Sequence, residues 1–449
     1  MHIKFRYILA LLLAFVSLEI MAQVQVWRDI YEAKKKDTIY GIARMYDLTV
    51  DELVAANPEM KADDYKLKKG AKVFIPNKSQ TTTVAKQVQT TTKTKPGQRL
   101  KVGVMLPLHD VDGDGKRMVE YYRGILMACD SLKKSGINTD VYAWNVDIAA
   151  DSRVTLLNEE AKNLDIIFGP LYTSQVKPIA DFCLANNVKL VIPFSTTAPD
   201  VKTNPQVYQV YQNGVQLNER AIGTFLGRFK DSNPIFIDCN DTTSQKGIFT
   251  FGLRKSLETM GISYQITNLN SSDKQFAKAF SATKKNVVIL NTGRSQELNL
   301  VFRKLNTLTQ ANPSLNISMF GYNDWLLYEN VYRELYHKYD AHIPSYYYYY
   351  KGLSRISQFE QNYQKWFGVE LQNHYLPRFA ITGYDHAQFF LRGLYEKGSA
   401  FSGEMQESSY KPLQTPLRFR SAAEGGGMQN AAFQLVHYNT NMVIDTIGY

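Results

Sequence analysis

The chain has 449 residues, of which 44% are hydrophobic and 21% charged, with only 3 cysteines. These proportions exclude a disordered tail, a collagen and a disulfide-stapled miniprotein, and they leave room for two or three domains, each burying its own core. The formal charge of +10 bears on partners rather than fold, and it is unevenly placed: residues 23–99 hold 15 Lys/Arg against 9 Asp/Glu, whereas residues 100–449 hold 35 against 32.

At the start, Lys4 and Arg6 precede an apolar run over residues 7–16, and the small Ala22 follows as a cleavage position. Together they read as a secretory signal peptide over residues 1–22. The run is too short to span a bilayer, and no later stretch reaches the roughly 18 apolar residues of a transmembrane helix. The expectation is a protein secreted across the inner membrane, not membrane-spanning, in the periplasm or at the cell wall. No cysteine lies near the cleavage position, so a lipid anchor on cysteine is not expected. Cys129, Cys183 and Cys239 each fall in an apolar segment and read as buried free thiols, with a Cys129–Cys183 disulfide as the alternative.

Residues 26–77 form a small first unit. A strand is expected at 29–33, then a helix over 38–46 capped by Asp37, with Ile39, Ile42 and Ala43 on one face. Thr49 and Glu52 stand at capping-box spacing and open a second helix, which Asn57-Pro58 ends. A strand at 73–75 closes a β, α, α, β order. Residues 78–99, dominated by Thr, Gln and Lys, cannot bury enough surface to offset their ordering entropy and read as a flexible linker.

On those residues the first unit resembles a LysM domain: the Asp37-Thr38 helix start, the Ile42-Ala43 pair, the Asn57-Pro58 turn and the closing Leu67, Gly70 and Ile75-Pro76 follow in the family's order. The resemblance implies binding to N-acetylglucosamine-containing glycan, usually peptidoglycan. It places a shallow groove between residues 36–39 and 57–61, with Asp37, Thr38, Ile39, Asn57 and Pro58 as contacts. The same residues also suit helix caps and turns in a fold of this kind without any ligand.

Beyond the linker, apolar strands alternate with amphipathic helices, the pattern of an α/β unit with parallel sheets flanked by helices. Strands are expected at 101–108, 141–146, 165–168 and 189–192, with helices at 117–134, 154–162 and 175–186. A second set follows: strands at 235–238, 264–266, 287–290 and 317–320, and helices at 215–229, 247–260, 274–282 and 296–309. Residues 417–447 read as short strands broken by glycines and asparagines, a hairpin. Residues 346–350, five tyrosines, read as a strand with Tyr346, Tyr348 and Tyr350 on one face.

Residues 100–449 look like the type I periplasmic binding protein superfamily, on the strength of 101–108, of the Gly169-Pro170 turn, of Pro193-Phe194-Ser195 and of residues 364–394. That group includes leucine-type amino-acid receptors and the substrate-binding-like domains of peptidoglycan synthase activators. The resemblance implies two lobes, discontinuous in sequence, joined by crossovers near residue 212 and in the 320s and 340s. A helix containing Tyr384-Asp385 would pack on the first lobe.

Ligands in such sheets sit outside the carboxyl ends of strands, and those ends here carry hydroxyls and amides. The first lobe offers Tyr172, Thr173, Ser174, Ser195, Thr196 and Thr197; the second offers Asp241, Thr242, Thr243, Thr292, Tyr322 and Asn323. In the family, positions equivalent to Ser174, Ser195 and Thr197 hold the polar end of a small ligand. Asp241 or Asp324 would have to face the ammonium of an amino acid. The Asp/Gly loop at 110–115 starts like an EF-hand, but its twelfth position is Tyr121 rather than a bidentate Glu, so a solvated turn is the expectation. No paired metal spacing, nucleophile elbow or phosphate loop stands out, and neither a cofactor, a metal nor nucleic acid is expected.

These readings converge on a non-enzymatic protein anchored to cell-wall glycan, whose two-lobed domain binds a small ligand, an amino acid or a muropeptide-like molecule. A ligand-free module that regulates a peptidoglycan synthase or another envelope complex is the alternative, and an enzyme acting on wall glycan is a third reading.

Overall fold

The computed structural model describes residues 27–35, 37–46, 48–61, 65–76, 94–404 and 410–448. The expected signal peptide and most of the expected linker lie outside them.

In the small unit, β1 (Trp27–Glu32) and β2 (Lys72–Pro76) pair antiparallel, with Ile30 opposite Phe74. Between them lie α1 (Ile39–Met45) and α2 (Val50–Ala56), whose Ile42, Ala43 and Leu53 meet Val73 and Ile75 in a small core. The cap of α1 is Thr38, not Asp37: the Thr38 hydroxyl accepts from the Gly41 N–H at 3.0 Å. Asp37 is already taken, accepting from the Lys34 N–H at 2.7 Å and the Tyr31 hydroxyl at 2.8 Å. The expected capping box does form at Thr49 and Glu52.

The large unit contains two seven-stranded mixed sheets. In the first, β3 (Leu100–Leu106), β4 (Thr139–Asn145), β5 (Ile166–Phe168), β6 (Lys189–Ile192) and β7 (Val207–Gln209) are parallel. Its helices include α3 (Gly113–Lys134), α4 (Ser152–Thr155) and α5 (Val176–Asn186). The chain then crosses at residues 210–213 into α6 (Gly214–Phe229) and the second sheet. There β8 (Asn233–Asp238), β9 (Gln265–Asn268), β10 (Asn286–Leu290), β11 (Ile317–Phe320) and β12 (Ala341–Ser345) are parallel. They alternate with α7 (Gly247–Thr259), α8 (Asp273–Ala277), α9 (Ser295–Ala311) and α10 (Glu329–Lys338).

A second crossing at 346–353 returns the chain to the first lobe as α11 (Ser354–Phe367) and α12 (Phe379–Lys397). Helix α12 lies in backbone contact with α3: a Cβ on Gly124 would fall 1.9 Å from the Ala380 carbonyl oxygen, and one on Gly383 would fall 2.0 Å from that of Tyr121. The tail makes two hairpins rather than one. β13 (Phe419–Ser421) and β14 (Met428–Asn430) extend the first sheet, and after a third crossing at 431–433, β15 (Gln434–Tyr438) and β16 (Ile444–Gly448) extend the second. Residues in the 320s do not cross; they form a 3-10 turn, Asn323–Tyr328, within the second lobe.

Other expectations shift for local reasons. Helix α3 starts before residue 117 because the Asp112 carboxylate caps the Gly115 N–H at 2.8 Å, which makes the Asp/Gly loop a helix start. The helix expected at 154–162 breaks into α4 and a 3-10 turn, Glu159–Asn163, where the Asn158 amide bonds back to the Thr155 carbonyl. Helix α8 stops at Ala277, short of 282, since the buried Asn286 amide gathers residues 281–284 into a loop. Residues 346–350 are not a strand: they cross between lobes, with Tyr347 and Tyr348 buried. All three cysteines are free and buried. Residues 94–99, expected as the end of the linker, pack on the first lobe, where the Thr94 hydroxyl donates to Asp165 at 2.7 Å.

Candidate functional site

The carboxyl ends of β5 and β6 bring the first-lobe hydroxyls together. Thr173 and Ser195 hydroxyls lie 2.9 Å apart, and Ser195 also accepts from the Thr197 N–H at 3.2 Å while donating to its carbonyl at 3.0 Å. The Ser195 hydroxyl is therefore occupied inside its own turn. Ser174, Thr196 and Thr197 are exposed. The Tyr172 hydroxyl donates to Asp114 at 3.3 Å, and burial together with that carboxylate pushes its phenol up to about 12.

The second-lobe set is charged but internally paired. Asp241 accepts from the Thr243 hydroxyl at 2.7 Å and N–H at 3.0 Å and from the Thr292 hydroxyl at 2.8 Å, with Arg294 at 3.6 Å. The Thr243 and Thr292 hydroxyls, in that order, pull its carboxyl down to about 2. Asp324 is bound by Lys246 at 2.7 Å, and the same ammonium lies 4.9 Å from the centre of the Tyr322 ring. The Tyr322 hydroxyl is buried and donates to the Leu290 carbonyl, and Asn323 begins the 3-10 turn. Both acids considered for an amino-acid ammonium are thus engaged by groups of the chain itself.

An aromatic column runs from the first-lobe set to the second crossing, and sequence reasoning did not single it out. Phe194 packs edge-on against Tyr211 with ring centres 5.4 Å apart, and Tyr211 packs against Tyr346, also at 5.4 Å. Tyr211 lies in the first crossing and Tyr346 opens the second. The signal available was the turn sequence Tyr211-Gln212-Asn213 beside the tyrosine run; what it lacked was the pairing between them. Off this column, a polar cavity of about 640 Å³ opens between α10 and α11, lined by residues that include Arg333, Tyr349, Lys351, Glu360, Glu370 and Arg378. None of the sequence-predicted cleft residues lines it.

In the small unit, Asn57 is fully buried: its amide donates to the Leu53 and Phe74 carbonyls at 2.7 and 2.8 Å and accepts from the Phe74 N–H at 2.8 Å. Its side chain therefore ties α2 to β2. Thr38 and Pro58 are exposed, and Asp37 and Ile39 half-buried. The opposite face of the sheet rests on the first lobe. Arg153, gripped by Asp151 at 2.7 and 2.9 Å, places its guanidinium 3.6 Å from the Phe74 ring centre and donates to the Ala56 carbonyl at 3.2 Å. Ile30, Ala56 and Phe74 thereby join an apolar cluster with Trp144 and Leu156.

Comparison with known proteins agrees with this architecture. Residues 31–76 match the LysM domain family. No curated protein matches the chain. Among solved structures, a putative branched-chain amino acid ABC transporter protein from Rhodospirillum rubrum is 13% identical, over 78% of this chain and 100% of the other, with a TM-score of 0.50. A branched-chain amino acid ABC transporter periplasmic ligand-binding protein from Burkholderia xenovorans LB400 is 12% identical, over 78% and 94%, with a TM-score of 0.45. At 13% identity the likeness to the Rhodospirillum rubrum protein shows the fold alone, two α/β lobes, preceded in this chain by residues that match the LysM domain family. No helix among the described residues is long and apolar enough to cross a membrane.

Proposed function

We propose that this is a non-enzymatic, peptidoglycan-associated binding protein of the periplasm or cell wall. The LysM domain holds N-acetylglucosamine-containing glycan, and the two-lobed unit recognises a second molecule between its lobes. The match of residues 31–76 to LysM carries the first half. In support, Thr38 and Pro58 are exposed. Because the Asn57 side chain is spent inside, the 57–61 loop would meet glycan through Pro58 and backbone groups. The full chain should sediment with insoluble peptidoglycan, and a chain lacking residues 27–76 should not; equal retention of both would overturn the anchor.

For the two-lobed unit, an amino acid or muropeptide-like ligand would lie between Tyr172, Thr173, Ser174, Ser195, Thr196 and Thr197 on one side and Asp241, Thr243, Tyr322 and Asn323 on the other. Support comes from the fold shared with ligand-binding proteins. The pairing of Asp241 with Thr243 and Thr292, and of Asp324 with Lys246, favours the second reading, a module that engages an envelope protein without a small ligand. Thermal shift against amino acids and muropeptides separates them, since a ligand that binds only the folded state raises the melting temperature by mass action. A flat response together with a co-purifying partner selects the second reading. Release of sugar or peptide from wall material on long incubation would overturn binding without catalysis.

A further inference from the structure

The polar cavity of about 640 Å³ between α10 and α11 is walled by three parts of the chain. Helix α10 and the 3-10 turn before it bring the second lobe, α11 and residues 370–378 bring the first, and Tyr349 and Lys351 of the second crossing lie between them. Its volume is that of an ordinary small-ligand site, and its walls are charged in both senses. Glu329, Glu360 and Glu370 stand in it with Arg333, Lys351 and Arg378. Of these six, only Glu329 and Arg333 form an ion pair among the described residues, at 3.1 Å. Glu360 accepts from the Tyr349 hydroxyl, while the Arg378 guanidinium lies 4.8 Å from the centre of the same ring, so one tyrosine holds an acid and a cation that do not pair with each other. Arg378 Nη1 donates to the Gln372 and Tyr375 carbonyls at 2.7 and 3.1 Å, which fixes the fork, and its Nε is buried without a hydrogen-bond partner. Lys351 and Glu370 are exposed and make no side-chain hydrogen bond or ion pair among the described residues. The same holds for four carboxamides in the walls, Asn330 of the second lobe and Gln361, Gln364 and Asn373 of the first.

Charges of both signs left unpaired in one cavity are matched by a ligand that itself carries both; a neutral sugar would desolvate them without compensation, and a simple anion would face three carboxylates. A carboxamide offers a donor and an acceptor together, which is what a main-chain amide requires of its partner. We infer that this cavity is a binding site for a short peptide with free termini, its carboxylate toward Arg378 and Lys351, its ammonium toward Glu370, and its main-chain amides met by the carboxamides of both walls. None of the residues proposed for the strand-end cleft lines it, so the site is separate from that cleft and from the LysM groove. Since its walls come from both lobes and from a crossing, a bound peptide ties the lobes together and favours one arrangement of them.

The test uses the full chain with tetraalanine as probe, read by thermal shift and calorimetry. Recognition falls on termini and main chain, so a peptide without distinctive side chains is a sufficient probe. Tetraalanine is expected to raise the melting temperature, and its N-acetylated and C-amidated forms each to bind about tenfold more weakly. K351Q, at an exposed position, should weaken tetraalanine about tenfold yet leave the amidated peptide unchanged, and E370Q should weaken it yet leave the acetylated peptide unchanged. That pattern reads the contact itself, because a merely structural loss would weaken every peptide alike. No response to tetraalanine, equal affinity for the blocked forms, equal affinity for free alanine, or wild-type affinity in folded K351Q and E370Q overturns the proposal. So does competition by chitotetraose, which would move the peptide to the LysM groove. Retention on peptidoglycan by K351Q keeps this outcome separate from that of the LysM anchor.

Discussion

Each lobe is completed by a late segment of chain, and each segment is fastened by one carboxylate, but with opposite chemistry. In the first lobe, Asp385 on α12 accepts from the Tyr410 hydroxyl at 2.6 Å and from the N–H groups of Leu413, Gln414 and Thr415 at 2.7 to 2.9 Å. In the second, Asp340 binds Lys285 at 2.7 Å and His437, on the returning hairpin, at 2.6 Å. Neutral donors hold the first; an ammonium, an imidazole and the Ser318 hydroxyl hold the second. Burial outweighs its hydrogen bonds and pushes Asp385 up to about 6, whereas the bonds from His437, Lys285 and Ser318 overcome burial and hold Asp340 well below the usual carboxylate range. A long-range attachment made by a carboxylate can therefore respond to pH in either direction, according to what surrounds it.

The strongest way to break this comparison is D385N. An amide nitrogen would face donors it cannot accept from, and the variant is expected to lose about 3–5 kcal/mol in denaturant unfolding, with α12 loosening first. A loss under about 1 kcal/mol would show that Asp385 does not fasten the first lobe. D340N should cost less, about 2 kcal/mol at neutral pH, since Ser318 and one oxygen remain to share the bonding.

The pH dependence sharpens the contrast. Asp385 has a raised folded pKa, so the native state binds the extra proton between about pH 4 and pH 6, and the wild type loses this contribution as pH rises through that window. Asp340 is lowered, so its contribution is present above its ordinary value and is lost as pH falls below about 4. The D340N deficit should shrink toward acid pH while the D385N deficit does not follow it. Parallel curves for the two variants would contradict the assignment.

The first lobe also carries the LysM domain. R153A should cost about 1 kcal/mol and, in scattering, increase the radius of gyration as the LysM domain separates. Unchanged scattering would mean that Ile30 and Phe74 hold the face without the arginine. Smallest of all is K246A in the second lobe: the Lys246–Asp324 pair is about a third exposed on each side, so the loss should be about 0.5 kcal/mol. Its use is functional, because it frees Asp324; a gain of amino-acid binding would show that the pair, rather than the cleft's shape, excludes such ligands.

Much of this protein was legible where the signal is local. The Thr49/Glu52 capping box, the strands with continuous apolar runs such as Asn286–Leu290, and the long amphipathic α9 follow from spacing over a few residues. Less legible were positions decided by a competitor far away. Asp37 does not cap α1 because Tyr31, across the strand, claims it. The tyrosine run reads as a strand by propensity, but residues 346–350 must leave the sheet to reach the first lobe, and tertiary demand overrides preference. Strand β7 is only three residues long, too short for any period to show.

By itself, the sequence determined the class of each part: a βααβ unit of LysM type, then two α/β lobes with hydroxyls at their strand ends, because period, caps and turn residues act within a few positions along the chain. Only the tertiary structure decided where the chain crosses between lobes, that Asp241 and Asp324 are already paired, that Asn57 is a fastener, and that Arg220 and Arg418 meet at the Ala431 carbonyl in a crossing. Those outcomes depend on groups brought together from as far as two hundred residues apart, and a side chain's free valences are known only once every neighbour competing for them is in place.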